Sequence, residues 1–144
     1  LLAGKLKKRD PIPSKDHVTR YCNSEEVQNG QILASAFELR LEKKEKYLSV
    51  NWLEYFEGLP PEVAIVKIRK ALKDKKLCNK DGLIAAINVG ELLKVDLTST
   101  IEVLYLGSKK DKSYSGIFGQ EEINELAALE MLDLVTEKMT FRVI

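Results

Sequence analysis

The sequence predicts an α+β fold: a largely antiparallel sheet covered by two longer helices, with one short aromatic helix in addition. Three observations lead to this fold class. Several short runs alternate between apolar and polar residues or are uniformly apolar, which is typical of strands. Two longer segments repeat apolar residues at helical spacing. The elements follow in the order strand, strand, strand, helix, helix, strand, strand, helix, which lacks the regular alternation of a parallel α/β sheet.

Chain length and composition indicate how the chain is organised. The 144 residues match a common size for one domain. A content of 44% hydrophobic and 31% charged residues is that of an ordinary soluble, globular protein. We expect a mobile, basic N-terminal segment over residues 1–15 and a single α+β domain over residues 16–144.

Three strands are predicted in the first part of the chain. Two prolines favour extended backbone before the first strand, residues 17–22. An Asn-Gly turn signal precedes the second, residues 31–41, in which alternate positions are mostly apolar. The charged run 42–46 is expected to be a loop, so residues 47–50 should pair back on 31–41 as a hairpin.

Two helices are predicted next. Asn51 is expected to cap a short aromatic helix that ends at Gly58. Pro61 suits the first position of the following helix, residues 62–73, because the N–H that proline lacks would have no helical partner there. The face expected to be buried comprises Ala64, Ile65, Ile68, Ala71 and Leu72.

The second half of the chain is predicted to contain two strands, a loop and the last helix. The apolar runs 83–89 and 100–106 suit strands, with Gly90 ending the first, and residues 107–119 are expected to form a polar loop. The last helix is predicted over residues 121–138, where an acidic first turn complements the helix dipole. Its expected buried residues are Ile123, Leu126, Ala127, Met131, Leu134 and Val135.

Charge, cysteine content and the length of apolar runs narrow the function classes. The formal net charge of +1 gives no global attraction to nucleic acid. Cys22 and Cys78 are expected to be free thiols in a reducing, cytoplasmic environment. One histidine and two cysteines lack the spacing of a structural zinc site, and no apolar stretch reaches the roughly 18 residues of a membrane span. We therefore expect no metal, no cofactor and no membrane association.

The densest cluster of reactive side chains surrounds the single histidine, His17. Strand geometry divides this cluster between two faces. One face carries His17, Thr19 and Tyr21, and the other carries Asp16, Val18, Arg20 and Cys22. The partners of His17 must therefore come from elsewhere, with Ser49, Asn51, Glu54 and the loop 113–116 as candidates. The candidate catalytic residues are His17, Arg20, Ser49 and Glu54.

Five short segments stand out in the sequence: DHVTRYC, SAFELR, YLSVNWLE, INVG and SGIFG. In these segments the chain resembles a group of uncharacterised small bacterial proteins, and the resemblance implies that the five form one surface. The order of His17, Ser49 and Glu54 is similar to that of ADP-ribosyltransferase-like enzymes. This resemblance implies that His17 and Ser49 hold a nicotinamide nucleotide while Glu54 orients the acceptor. The spacing departs from that family, in which the acid comes from a later strand.

Charged segments supply further candidate binding residues. Residues 67–80 contain seven basic residues against one acidic residue, whereas the predicted last helix is strongly acidic. Such separation favours a protein partner or self-association, and a basic face can also follow a phosphate backbone. The candidates are Lys67, Arg69, Lys70 and Lys73 in the basic segment, with Ser113 and Ser115 as anion-binding residues in the polar loop.

One function is favoured and two are alternatives. The favoured function is a noncatalytic module that binds a protein partner, or a second copy of itself, through the charged helices and the surface near His17 and Arg20. The first alternative is an ADP-ribosyltransferase-like or other nucleotide-handling enzyme that uses His17, Ser49 and Glu54. The second is a nucleic-acid-binding protein that uses residues 67–80.

Overall fold

The computed structural model describes residues 6–75, 77, 82–97 and 100–143. The strands are β1 (His17–Cys22), β2 (Val27–Gln28), β3 (Gln31–Ile32), β4 (Tyr47–Trp52), β5 (Leu83–Asn88), β6 (Glu102–Tyr105), β7 (Tyr114–Phe118) and β8 (Thr140–Arg142). The α-helices are α1 (Pro61–Asp74), α2 (Val89–Leu93) and α3 (Asn124–Leu134). Six strands form one sheet in the order β6-β7-β4-β1-β5-β8, with every neighbouring pair antiparallel. The predicted α+β class is confirmed.

The sheet separates two apolar layers. On one face, Val18, Val50 and Ile87 pack with α3 and with the 3-10 turn Ala34–Phe37. On the other face, α1 contributes the buried Ala64, Ile65, Ile68 and Leu72, which pack with Ile84 of β5. Because side chains alternate along a strand, each central strand supplies residues to both layers. The two long helices therefore cover opposite faces of the sheet.

Several predicted elements match the structure. β1 coincides with the predicted strand 17–22, and β5 and β6 lie within the predicted strands 83–89 and 100–106. α1 begins at Pro61 as expected, and four of its five predicted core residues are buried, while Ala71 is partly exposed. Gly90 does not simply end a strand but lies inside α2, where Asn88 caps the helix by accepting from the Glu91 N–H at 2.8 Å.

The predicted hairpin of residues 31–41 with 47–50 is wrong. β3 ends at Ile32, and the chain then forms the 3-10 turn Ala34–Phe37, in which Ala36 and Phe37 are buried. The alternating pattern indicated a strand, but tertiary packing of Phe37 beneath the sheet decides the conformation. β4 pairs instead with β1 and β7.

The predicted polar loop 107–119 is also wrong, because it contains β7, an interior strand between β4 and β6. Its Ser115 and Gly116 carry little apolar signal, although both are buried. Asn51 does not cap a helix but lies within β4, and the short aromatic helix is the 3-10 turn Leu53–Tyr55. These errors share a cause: buried polar positions do not read as strand from sequence alone.

The last helix is shorter than predicted. α3 has 11 residues, is preceded by the 3-10 turn Glu121–Ile123, and is followed by the turn Glu137–Met139 and β8. Leu126, expected in the core, is 44% exposed, whereas Ala128 is fully buried. The buried stripe of α3 consists of Ala127, Ala128 and Met131.

The folded domain begins closer to the N-terminus than expected. Residues 9–12 run alongside β6: the Tyr105 N–H donates to the Asp10 carbonyl at 2.9 Å, and the Ile12 N–H donates to the Val103 carbonyl at 3.0 Å. Ile12 is 3% exposed. The expected boundary between a mobile segment and the domain at residue 15 therefore lies too late in the chain. Among the described helices, none has both the length and the apolar character needed to cross a membrane.

Candidate functional site

The sheet opens between its two central strands. β1 pairs with β5 along its whole length, but with β4 it shares the pairs Val18–Trp52 and Thr19–Asn51 alone. Beyond these pairs the strands diverge, and their facing backbone groups need other partners. A cleft of about 780 Å³ occupies the opening, a volume within the range of roughly 300–1,000 Å³ typical of small-molecule sites.

Arg20 lies where the two strands part. Its Nε donates to the Ala36 carbonyl at 2.9 Å, and its Nη1 donates to the Ser49 carbonyl at 2.9 Å. The Ser49 carbonyl belongs to the stretch of β4 that has lost its pairing with β1. The arginine side chain therefore supplies a donor that the neighbouring strand does not. These two bonds account for two of the five N–H donors of a guanidinium.

The charged guanidinium of Arg20 donates its hydrogen bonds to neutral carbonyl groups. None of the ion pairs among the described residues includes it. Burial lowers the pKa of Arg20, and the nearby Glu26 and Glu45 oppose that effect; a guanidinium nevertheless stays protonated in proteins. Glu45 is already bonded to Arg40, whose Nη2 donates to Glu45 Oε2 at 2.9 Å. The cleft thus contains a partly buried cation to which no carboxylate of the described residues is bonded.

Hydroxyl groups form one wall of the cleft. Tyr114 Oη lies 3.0 Å from Ser49 Oγ and 2.9 Å from Tyr47 Oη. The three side chains share a face because β4 pairs with β7 and side chains alternate along both strands. Burial, together with the hydrogen bond to Tyr114, raises the pKa of Tyr47 to about 12. The phenol therefore stays protonated at neutral pH, and the chain of hydroxyls can both donate and accept.

A buried carboxylate organises the neighbouring wall. Asp111 is 1% exposed and accepts from Lys75 Nζ at 2.6 Å and from Asn51 Nδ2 at 2.7 Å. Ser113 Oγ accepts a further bond from Asn51 Nδ2 at 2.9 Å. Lys75 also lies over the Tyr114 ring, 4.8 Å from its centroid. Because Asp111 neutralises Lys75, this lysine is a less available charge for a ligand than Arg20.

His17 lies outside this cleft, in a pair with Glu54. Its Nδ1 is 2.6 Å from Glu54 Oε2, and its backbone N–H donates to Glu54 Oε1 at 2.7 Å. Asp16 serves a different partner, accepting from Trp52 Nε1 at 2.9 Å. In a catalytic triad, an aspartate hydrogen-bonded to Nδ1 orients the histidine that acts as the base, and Glu54 holds His17 in the same way. Among the described residues, however, no serine, threonine or cysteine side chain hydrogen-bonds to the imidazole.

The His17–Glu54 pair predicts a dependence of stability on pH. The hydrogen bond to Glu54 raises the pKa of His17 above its ordinary value of 6.5, so the folded protein holds this proton more tightly than the unfolded chain. The stabilisation is complete below about pH 6.5 and is lost as the pH rises through the folded-state pKa. Because the two side chains are 28% and 35% exposed, we expect a loss below about 1 kcal/mol.

Urea unfolding at about pH 6 and about pH 8.5 measures this difference. Glu54→Gln keeps an oxygen that can accept from the His17 N–H but removes the charge, so the variant should lose this part of the pH dependence. Burial also raises the pKa of Asp16, but the ordinary value of that carboxyl, 3.8, lies far below that of the imidazole. An unchanged slope in Glu54→Gln would show that His17 is not the group responsible.

The four candidate catalytic residues divide into two pairs. His17 contacts Glu54, whereas Arg20 contacts Ser49. Three residues along a strand separate His17 from Arg20 by about 10 Å. Ser49 makes its hydrogen bonds with Arg20 and Tyr114, so the His/Ser/Glu order of the sequence does not become one hydrogen-bonded cluster.

The candidate binding residues lie elsewhere. Lys67, Lys70 and Lys73 are exposed on α1, and Arg69 is partly exposed. Lys76 and Lys80, also counted in the basic segment, lie outside the described residues. Ser113 and Ser115 are buried and engaged internally: Ser115 Oγ donates to the Ser113 carbonyl at 3.0 Å. Ser115 lies within β7 and Ser113 directly before it, so the two hydroxyls are not on the exposed polar loop from which they were expected to bind an anion.

The cysteines offer no reactive site in the described part of the chain. Cys22 is a free, buried thiol, and burial raises its pKa to about 12, which leaves very little thiolate at neutral pH. Cys78 lies outside the described residues. Over the described ranges, no group of three or more His, Cys, Asp or Glu side chains is arranged to hold a metal ion.

The five segments that stand out in the sequence lie on four neighbouring strands, β7, β4, β1 and β5, and on the turn that carries Ala36. The cleft lies among them. Sequence reasoning named Arg20 and Ser49 individually, and Glu38, Lys75 and Tyr114 only as members of longer segments. It did not name Asp111. No local motif marks these residues, because the pairing of β4 with β7 brings them together. No protein-family model matches the chain, and comparisons with curated proteins and with solved structures also find no match.

Proposed function

We propose that the protein is a noncatalytic binding module that takes a small molecule with an acidic group, a carboxylate or a phosphate, in the cleft between β1 and β4. One observation carries the proposal: Arg20 is held at the opening by the carbonyls of Ala36 and Ser49, and no carboxylate among the described residues is bonded to it. An acidic ligand would supply the missing charge-assisted hydrogen bonds, which are stronger than those to neutral acceptors.

Preorganisation supports this function. Two fixed carbonyls hold the guanidinium, so little side-chain freedom would be lost on binding. The hydroxyls of Ser49 and Tyr114 border the same cleft and offer secondary contacts to the polar part of a ligand. The volume of the opening lies within the range of small-molecule sites.

Titration with glutarate and with inorganic phosphate tests the proposal. Binding is monitored through the NMR signals of the arginine Nε–H groups. We expect binding that perturbs the Arg20 signal and that weakens about tenfold or more in Arg20→Gln, which removes the charge but keeps amide donors. Arg142→Gln is the matched control, since Arg142 is exposed on β8 at the far side of the sheet. Equal affinity in Arg20→Gln, measured on a variant shown to be folded by its thermal transition, would contradict the proposal.

A further inference from the structure

We infer, on the basis of the proposed function, that the ligand of this cleft is zwitterionic: its acidic group meets Arg20 and a basic group on the same molecule meets Glu38. An amino acid, or another small molecule with one carboxylate and one ammonium group, belongs to this class.

The balance of charge in the cleft is the first argument. Among the described residues, its lining contains three basic residues, Arg20, Arg40 and Lys75, and three acidic residues, Glu26, Glu38 and Glu45. Two of the basic residues are satisfied within the protein, Arg40 by Glu45 and Lys75 by Asp111. Within the described lining, the charges that remain for a ligand are therefore the cation Arg20 and the acids Glu26 and Glu38.

The two remaining acids differ in what they already bind. Glu26 closes a capping box, in which its Oε1 accepts from the Asn23 N–H at 3.0 Å. The Glu38 carboxylate has no hydrogen-bond or ion-pair partner among the described residues. Glu38 is therefore the acid with most capacity for a ligand ammonium group.

Hydrogen bonds hold the backbone on both sides of Glu38, and on one side the partner is Arg20. The Ala36 carbonyl, two residues before Glu38, accepts from Arg20 Nε. The Leu39 N–H donates to Asn124 Oδ1 at 2.8 Å, and the Leu39 carbonyl accepts from Asn124 Nδ2 at 3.0 Å. A guanidinium held by two carbonyls and an acidic residue on a hydrogen-bonded stretch of backbone thus border the same opening. A ligand with a negative charge alone would pair with Arg20 but would be repelled by Glu38 and Glu26.

Calorimetric titration with matched small molecules tests the inference. The probes are norvaline and γ-aminobutyrate, with pentanoate and butyrate as their counterparts that lack the amine. We expect at least one amino acid to bind about tenfold tighter than its counterpart, which is the scale of one added charge-assisted contact. Glu38→Gln should reduce this ratio to about one without weakening the simple acid.

Glu42→Gln is the matched control, because it removes the same charge from an exposed residue nearby that does not line the cleft. Its ratio should equal that of the unaltered protein. If the simple acids bind through Arg20 but the amino acids bind no tighter, or if Glu38→Gln leaves the ratio unchanged, the zwitterion inference is overturned and the proposed function stands. If neither class binds at millimolar concentration, the proposed function is overturned as well.

Discussion

Asp111→Ala is expected to destabilise the protein by about 3–5 kcal/mol, because removing one partner of a buried ion pair leaves the other uncompensated. Asp111 is 1% exposed, and the Lys75 side chain is 19% exposed. The substitution would also remove an acceptor from the Asn51 amide, which is buried within β4. Urea unfolding followed by tryptophan fluorescence measures the change, since Trp52 is adjacent to Asn51 in the core.

A double-mutant cycle separates the ion pair from other effects of the substitution. Lys75→Met alone should also destabilise, because it leaves the Asp111 carboxylate buried without its cation. Combining it with Asp111→Ala should cost less than the sum of the two single changes. Glu91→Ala is the comparison at the surface: the Lys94–Glu91 pair is 3.7 Å apart and its side chains are 77% and 58% exposed, so we expect a change within about 0.5 kcal/mol. Additive single effects would mean that Lys75 and Asp111 do not stabilise each other.

Gly119→Ala is expected to cost about 3 kcal/mol or more, because two penalties coincide at this position. Gly119 has a φ of +99°, a backbone conformation that residues with a side chain rarely adopt. A Cβ at this position would also overlap the backbone carbonyl oxygen of Thr100. Backbone atoms cannot move aside as a flexible side chain can, so the strand end of β7 would have to shift. Thermal and urea unfolding of the variant test this expectation.

Gly30→Ala provides the control for backbone conformation without overlap. Gly30 has a φ of +77°, but a Cβ there would meet no atom within 4 Å. We expect a loss of about 1–2 kcal/mol from the left-handed conformation alone. Equal losses at the two positions would show that the contact with Thr100 is relieved without cost.

Local patterns predicted the elements whose side chains follow one rule along their whole length. α1 has a proline at its first position and a continuous apolar stripe, so both its start and its buried face could be read from the sequence. β5 is an interior strand made almost entirely of apolar residues. The Ser- and Gly-containing β7 could not be recognised in this way, because its burial depends on pairing with β4 and β6.

The candidate site was predictable in part for the same reason. Strand alternation correctly indicated that the partners of His17 come from elsewhere, and Glu54 was among the named candidates. The position of Arg20 in a gap between strands could not be predicted, because the sequence does not indicate that β1 and β4 diverge after two residue pairs. Long-range register, which local spacing does not specify, places Ser49, Tyr114 and Asp111 around that gap.

The short pairing between β1 and β4 makes the sheet two three-stranded halves, β6-β7-β4 and β1-β5-β8, joined at a seam. Backbone pairing between the halves is limited to two residue pairs. Side chains add further bonds across the seam: Arg20 donates to the Ser49 carbonyl, Trp52 donates to Asp16, and His17 pairs with Glu54. This seam has fewer paired residues than any other junction between neighbouring strands of the sheet. A ligand that contacts both halves of the sheet would therefore stabilise the folded protein, by an amount that grows with ligand concentration and affinity.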